Sequence, residues 1–217
     1  MFKRLYIILF ILLLSGCSSY ELDPLFENKL PLYNNITLEI VSVEGFSPDP
    51  DGLKSFEASL LRYHFCRKLI IVQRTVLIKP ENIVPWNLTG LQMFEAANKT
   101  IKNAENKQDL NIFASFLPGP YIQGKINGLA GLQYSEGSFA IFKNFASDHE
   151  EIVLLHEFGH LMLIADDSHS PDRKPINEER PNHCNNHECI MFWQVTSDIK
   201  DFDLNCRREI AKLLENK

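Results

Sequence analysis

The chain has no block of lysine or arginine: its 22 basic residues are scattered among 28 acidic ones, leaving a formal net charge of −6. Proteins that hold nucleic acid need a concentrated basic surface to displace counterions from phosphate, so that class of partner is disfavoured. No internal repeat or low-complexity segment occurs, which sets aside solenoids and fibrous arrays. The longest apolar run, residues 5 to 14, is too short to cross a bilayer comfortably as a helix, for which about 20 residues are needed. Cysteine is sparse, at five residues. What remains is a chain of 217 residues, 45% hydrophobic and 23% charged, enough for one compact domain with a sizeable core.

The first sixteen residues are of a different kind. Lys3 and Arg4 precede the apolar run, and Leu14-Ser15-Gly16-Cys17 closes it with small residues before a cysteine. This pattern resembles the bacterial lipoprotein signal, whose cleavage leaves the cysteine as a lipidated first residue. The resemblance implies a signal peptide over 1–16, a lipid anchor at Cys17, a short tether over 17–35 carrying Pro24 and Pro31, and a folded domain over 36–217. It places the protein outside the cytoplasm, in a bacterial cell envelope. Ser18, being no aspartate, directs it to the outer membrane where the cell has one. Loss of residues 1–16 removes two basic residues and no acidic one, moving the charge from −6 to −8. Four cysteines then remain, and an even number in an oxidising compartment reads as disulfides. The expected pairs are Cys184 with Cys189, close in sequence, and Cys66 with Cys206.

Along the domain, residues 36 to 43 alternate and are rich in β-branched side chains, as a strand requires. A helix is expected over 53–68, with His64 a packing residue on it, and a strand over 69–78. Further expectations are a helix over 89–106, a strand over 110–116, and extended segments over 129–134 and 138–145. An amphipathic helix closes the chain over 198–217.

The most informative stretch is His156-Glu157-Phe158-Gly159-His160. Two imidazoles four residues apart lie on one helical face, one turn from each other, and can bind a single zinc ion. Glu157 is rotated away from both, so its carboxylate can reach an activated water without occupying a coordination position. The surrounding helix is apolar nearly all round, from Ile152 to Ile164, and histidines on a buried helix need a reason. Its expected start is Ser147 as N-cap, with Glu150 completing a capping box.

Two histidines leave zinc one protein ligand short. Candidates are Asp166, Asp167, His169, Glu178, Glu179, His183 and His187. His183-Cys184, four residues, Cys189, one residue and Met191 together resemble a segment of the archaemetzincins, a branch of the metzincin zinc peptidases. The resemblance covers two short segments. It implies His156, His160 and His183 as ligands of one catalytic Zn2+, Glu157 as the general base, and Met191 in a turn beneath the metal.

Three departures stand out. The family's third histidine follows six residues after the second, where this chain has Asp166, the rival third ligand; 166–182 then becomes an inserted surface loop. The usual glycine after the helix is Leu163. A leucine at positive φ is strained by about 1 kcal/mol, so the helix is expected to run a turn further. Finally, the family's second, structural zinc is held by four cysteines, and one of those positions is Asp203 here, so disulfides are expected in its place.

The sequence thus predicts an α+β, zincin/metzincin-like fold: a mixed twisted sheet packed with an active-site helix, a Met-turn and a C-terminal helix. The expected activity is zinc-dependent hydrolysis of peptide bonds by a membrane-anchored lipoprotein acting on peptides or proteins. The alternatives are a catalytically silent zinc-containing binding or assembly lipoprotein, and a hydrolase of non-peptide amides.

Overall fold

The computed structural model describes residues 10–11, 24–26, 28–78, 85–124, 126–146, 148–165 and 180–216. Among the described residues, eight strands and five helices follow one another as β1 (Phe10–Ile11), β2 (Tyr33–Val43), α1 (Pro50–Arg62), β3 (Cys66–Val76), α2 (Leu88–Asn98), β4 (Asp109–Leu117), β5 (Ile122–Gln123), β6 (Ile126–Asn127), β7 (Gly131–Ser135), β8 (Ser138–Phe142), α3 (Lys143–Ala146), α4 (Glu150–Leu161) and α5 (Leu204–Glu215). One mixed sheet has the order β1-β3-β2-β4-β8-β7, and β5 and β6 form a separate hairpin. Strands β3, β2, β4 and β8 run parallel, while β7 returns antiparallel to β8 and forms one edge. Cleavage after residue 16 would remove β1 and leave five strands.

Side chains alternate across a strand, and the central strands use both faces. Ile36, Leu38 and Ile40 of β2, Ile112, Ala114 and Phe116 of β4, and Phe139 and Ile141 of β8 join one core with α1, α4 and α5. Val41 and Val43, Phe113 and Leu117, and Ala140 and Phe142 point the other way, to Leu91 and Phe94 of α2. This three-layer arrangement is why the strands read as nearly continuous apolar runs. Phe26 is fully buried, edge-on to Tyr63 with ring centroids 5.3 Å apart, so the fold takes in residues before position 36.

Several elements end earlier than the sequence pattern predicts, each for a reason visible in the structure. Helix α1 starts on Asp49, whose side chain accepts from the Gly52 N–H at 3.1 Å, with Pro50 in its first turn. It stops at Arg62 and not at residue 68. His64 adopts a φ of 55°, and Cys66 then pairs with Tyr33 in the sheet. His64 bonds the Lys29 carbonyl through Nδ1 at 2.9 Å, in keeping with a packing role. Residues 143 to 145, expected to be extended, belong to the short helix α3.

Helix α2 ends at Asn98, not 106, because Glu39 on β2 captures the chain beyond it. The buried Glu39 carboxylate accepts from the Thr100 N–H (2.8 Å), the Thr100 hydroxyl (2.6 Å), the Ile101 N–H (2.9 Å) and Arg74 (2.6 Å). Burial pushes its pKa up, but these donors together outweigh burial and hold it below the ordinary carboxylate value. A depressed folded-state pKa contributes stability that is present above the unfolded value and lost as pH falls through the folded one. Glu39→Gln should therefore cost about 3 kcal/mol at neutral pH, as when one partner of a buried pair is removed. It should also flatten the loss of stability in acid; denaturant melts from pH 7 to pH 3 check both.

Candidate metal centre and active site

Helix α4 begins at Glu150 with His149 as N-cap and no side-chain capping bond from it; Ser147, the expected N-cap, lies outside the described residues. Glu150 is used elsewhere. It accepts from the Asp49 N–H at 2.7 Å and pairs with Lys143, tying the start of α4 to the start of α1. The helix carries Val153, Leu154, Leu155 and Phe158 into the core, which buries His156 and Glu157 with them.

His156 and His160 stand one turn apart with ring centroids at 4.7 Å and their Nε2 atoms 3.1 Å from each other. His183 arrives from the distant loop, its ring 5.2 Å from His156 and 4.9 Å from His160. One nitrogen from each ring lies within 4.8 Å of the others. Tetrahedral zinc with Zn–N bonds of about 2.0–2.1 Å has ligands roughly 3.4 Å apart, so the set fits the ion. The rings are oriented from behind. His156 Nδ1 donates to the Ile190 carbonyl at 2.7 Å and His183 Nδ1 to the Pro181 carbonyl at 2.9 Å, which leaves both Nε2 lone pairs for a metal. Burial is the leading cause that lowers the pKa of all three rings, to about 4 for His156, and so favours the neutral, ligating form. Of the other candidates, Asp166, Asp167, His169, Glu178 and Glu179 lie outside the described residues, and His187 is not part of the group.

The helix does not run on as predicted; it ends at Leu161, and Leu163 takes the positive φ, at 57°. Ile164 N–H reaches the Gly159 carbonyl (3.0 Å) and Leu163 N–H the His160 carbonyl (3.1 Å). This is the Schellman arrangement, with leucine in the place glycine normally holds. The last carbonyls of the ligand-bearing turn are satisfied by it, which outweighs the strain. Leu163 is 44% exposed, so little packing is lost on its removal. Leu163→Gly should stabilise the protein by about 1 kcal/mol, a rise in Tm of roughly 2–4 °C by calorimetry.

Met191 is fully buried directly below this turn. A Cβ on Gly159 would overlap the Met191 sulfur, so the glycine lets the methionine lie against the helix. The Met191 segment is pinned to its neighbours: Cys184 N–H donates to the Met191 carbonyl at 2.7 Å and Ile190 N–H to the Asp201 carbonyl at 2.9 Å. Because Ile190 also holds His156, the turn under the metal group and the orientation of its first ring are one construction.

Glu157 is 5% exposed and accepts from the Gln133 N–H of edge strand β7 at 2.6 Å. Burial pushes its pKa up to about 8, against the opposing effect of that N–H. The sequence singled out Glu157 but offered no sign of its partner on β7.

The cysteines depart from expectation. Neither expected disulfide is present: Cys66, Cys184, Cys189 and Cys206 are buried and none of them is disulfide-bonded. Cys66 opens β3, bonded through its sulfur to backbone at Ile36 and Lys68. Cys184, Cys189 and Cys206 instead gather with Asp203 into a second group whose ligand atoms lie within 4.8 Å of one another. The Cys189 and Cys206 sulfurs are 3.4 Å apart, beyond a disulfide bond of about 2.05 Å but near the separation across a tetrahedral zinc thiolate site, roughly 3.8 Å. Cys184 Sγ is 3.1 Å from Asp203 Oδ2. Asp203 Oδ1 meanwhile accepts from the Cys206 N–H at 2.8 Å and caps α5. Hydrogen bonds from Cys189 and Cys206 drive the Cys184 thiol far below its ordinary pKa, and the same Cys184 contact drives Cys189 up. Such a set is the chemistry of a soft divalent ion. Asp203 was seen in the sequence only as a missing cysteine; Asp-x-x-Cys opening an amphipathic helix was the available signal.

Fold and site together define a metzincin-like architecture: a mixed sheet with an antiparallel edge strand, a histidine-bearing helix, a methionine turn below it and a closing C-terminal helix. Among solved structures, the chain is similar to archaemetzincin from Methanopyrus kandleri, with a TM-score of 0.55 and 12% identity over 83% of this chain and 96% of that one. No protein-family model and no curated protein sequence matches the chain.

Proposed function

We propose that the protein is a zinc-dependent metallopeptidase that hydrolyses peptide bonds, with Glu157 as general base. The observation that carries this reading is the convergence of His156, His160 and His183 on one point, with the buried Glu157 on the same helical turn and β7 at the edge of the sheet formed by the described residues. The three imidazoles would hold zinc, which when bound supplies a Lewis acid to polarise a carbonyl and acidify a water. Glu157 takes the proton of the attacking water and returns it to the leaving amine. The outer edge of β7 offers backbone groups to an extended substrate. A silent binding protein would have no need of a carboxylate buried on the helical turn between two ligand histidines.

The Cys184, Cys189, Asp203 and Cys206 group would hold a second, structural zinc, in place of the disulfides. Ligation would also keep these thiols reduced outside the cytoplasm, where Cys17 is proposed to anchor the mature chain by lipid to a bacterial envelope membrane. No helix among the described residues is long and apolar enough to cross a membrane. The test is cleavage of a peptide library by the zinc-loaded protein, with metal analysis of His183→Ala and Asp166→Ala. His183→Ala should lose the catalytic ion and all turnover while Asp166→Ala keeps both. The reverse would reassign the third ligand, and a library left intact by the wild type would overturn the peptidase reading.

A further inference from the structure

Strand β7 has a second use for its open edge. The Phe142 N–H donates to the Ala130 carbonyl at 2.8 Å, and Gly131 faces Ile141 while Gln133 faces Phe139. Hydrogen-bonded and non-hydrogen-bonded pairs alternate along an antiparallel ladder, so Gly131 and Gln133 turn their backbone groups away from β8. The Gln133 N–H is not left to solvent: it is the donor that meets Glu157 Oε2. Gly131, two residues earlier, faces the same carboxylate. A Cβ there would lie 2.6 Å from Glu157 Oε1, 2.7 Å from its Cγ and 2.8 Å from Val153 Cγ1. No left-handed φ requires a glycine at this position, so the requirement is space.

We infer that β7 positions the base: Gly131 is the gap that admits the Glu157 side chain, and the Gln133 N–H is the donor that fixes its carboxylate. Neither touches the reacting atoms; both act through Glu157. A side chain with three rotatable bonds would otherwise sample several orientations near the metal group. With this contact, the strand that pairs with substrate backbone also sets where the base stands. The scissile bond and the base are thereby referred to one frame. The Gln133 N–H is consequently unavailable to substrate.

The inference rests on the peptidase reading for its kinetics but not for its structural arm. In the metal-free wild-type protein, the Gln133 amide proton should be shifted downfield and protected from exchange by NMR, and Glu157→Ala should abolish both. In the zinc-loaded protein, Gly131→Ala should lower kcat by about 100-fold, the scale of a misplacement near 1 Å, with KM and zinc content little changed. Gln133→Pro deletes the donor at an edge position that proline tolerates and should do the same. Rapid Gln133 exchange in the wild type, exchange indifferent to Glu157→Ala, or wild-type kcat in both β7 variants would each overturn the inference. Should Gly131→Ala fail to fold, the amide measurements still decide. A wild type that cleaves nothing yet shows the protected, Glu157-dependent amide would sink the peptidase reading and leave the contact standing.

Discussion

Glu157→Gln should retain the fold, both zinc ions and substrate binding while losing about 10^2- to 10^4-fold in kcat, the range that general acid–base catalysis contributes. The reasoning is one of shape against charge. Glutamine is isosteric and can still accept from the Gln133 N–H that meets Oε2 at 2.6 Å. It cannot take a proton from water. It also removes an ionisable group from a site where burial opposes charge, so its stability should equal or exceed that of the wild type. Steady-state kinetics on a cleaved library peptide, with metal analysis and a thermal melt, separate these outcomes. An unchanged rate would exclude Glu157 as base.

A second large effect is expected at the cysteine group. Cys206 is fully buried at the first turn of α5, and Cys184 and Cys189 lie in the segment between His183 and Met191. A metal here would fasten the closing helix to the loop beneath the active site. Ligand present at 1,000 times its Kd stabilises by about 4 kcal/mol. For a chain of this size that is roughly 10 °C in Tm. Cys206→Ala should thus melt roughly 10 °C lower and bind one zinc where the wild type binds two. In excess chelator the two proteins should melt together, which distinguishes lost metal from lost packing. Asp203→Asn keeps a side-chain oxygen for the helix cap and should show the metal defect in milder form. Equal zinc content in wild type and Cys206→Ala would refute the second site.

Much of this site was legible from local spacing. His156 and His160, four apart, were expected to lie together because helical periodicity alone puts them on one face, and their rings stand 4.7 Å apart. The strands over 36–43 and 110–116 were legible from their apolar and β-branched residues, although both of their faces prove to be buried. What failed depended on contacts distant in sequence. The end of α2 is set by Glu39, about sixty residues earlier, and nothing near Asn98 announces it. Leu163 was judged by its intrinsic strain, and the hydrogen bonds that offset that strain became visible only in three dimensions. The cysteines were read by compartment and sequence proximity, whereas the fold brings Cys189 to Cys206 and leaves Cys66 on β3. Gly131 lies in a segment expected to be extended, and only the position of Glu157 shows what the space left by its missing side chain is for.

The central claim is that three imidazoles share one ion. Crystals of the zinc-loaded protein, measured on both sides of the zinc absorption edge, test it most directly. An anomalous peak within about 2.1 Å of Nε2 of His156, His160 and His183 is the predicted result. No peak there, or one coordinated by Asp166 with His183 turned away, would contradict it.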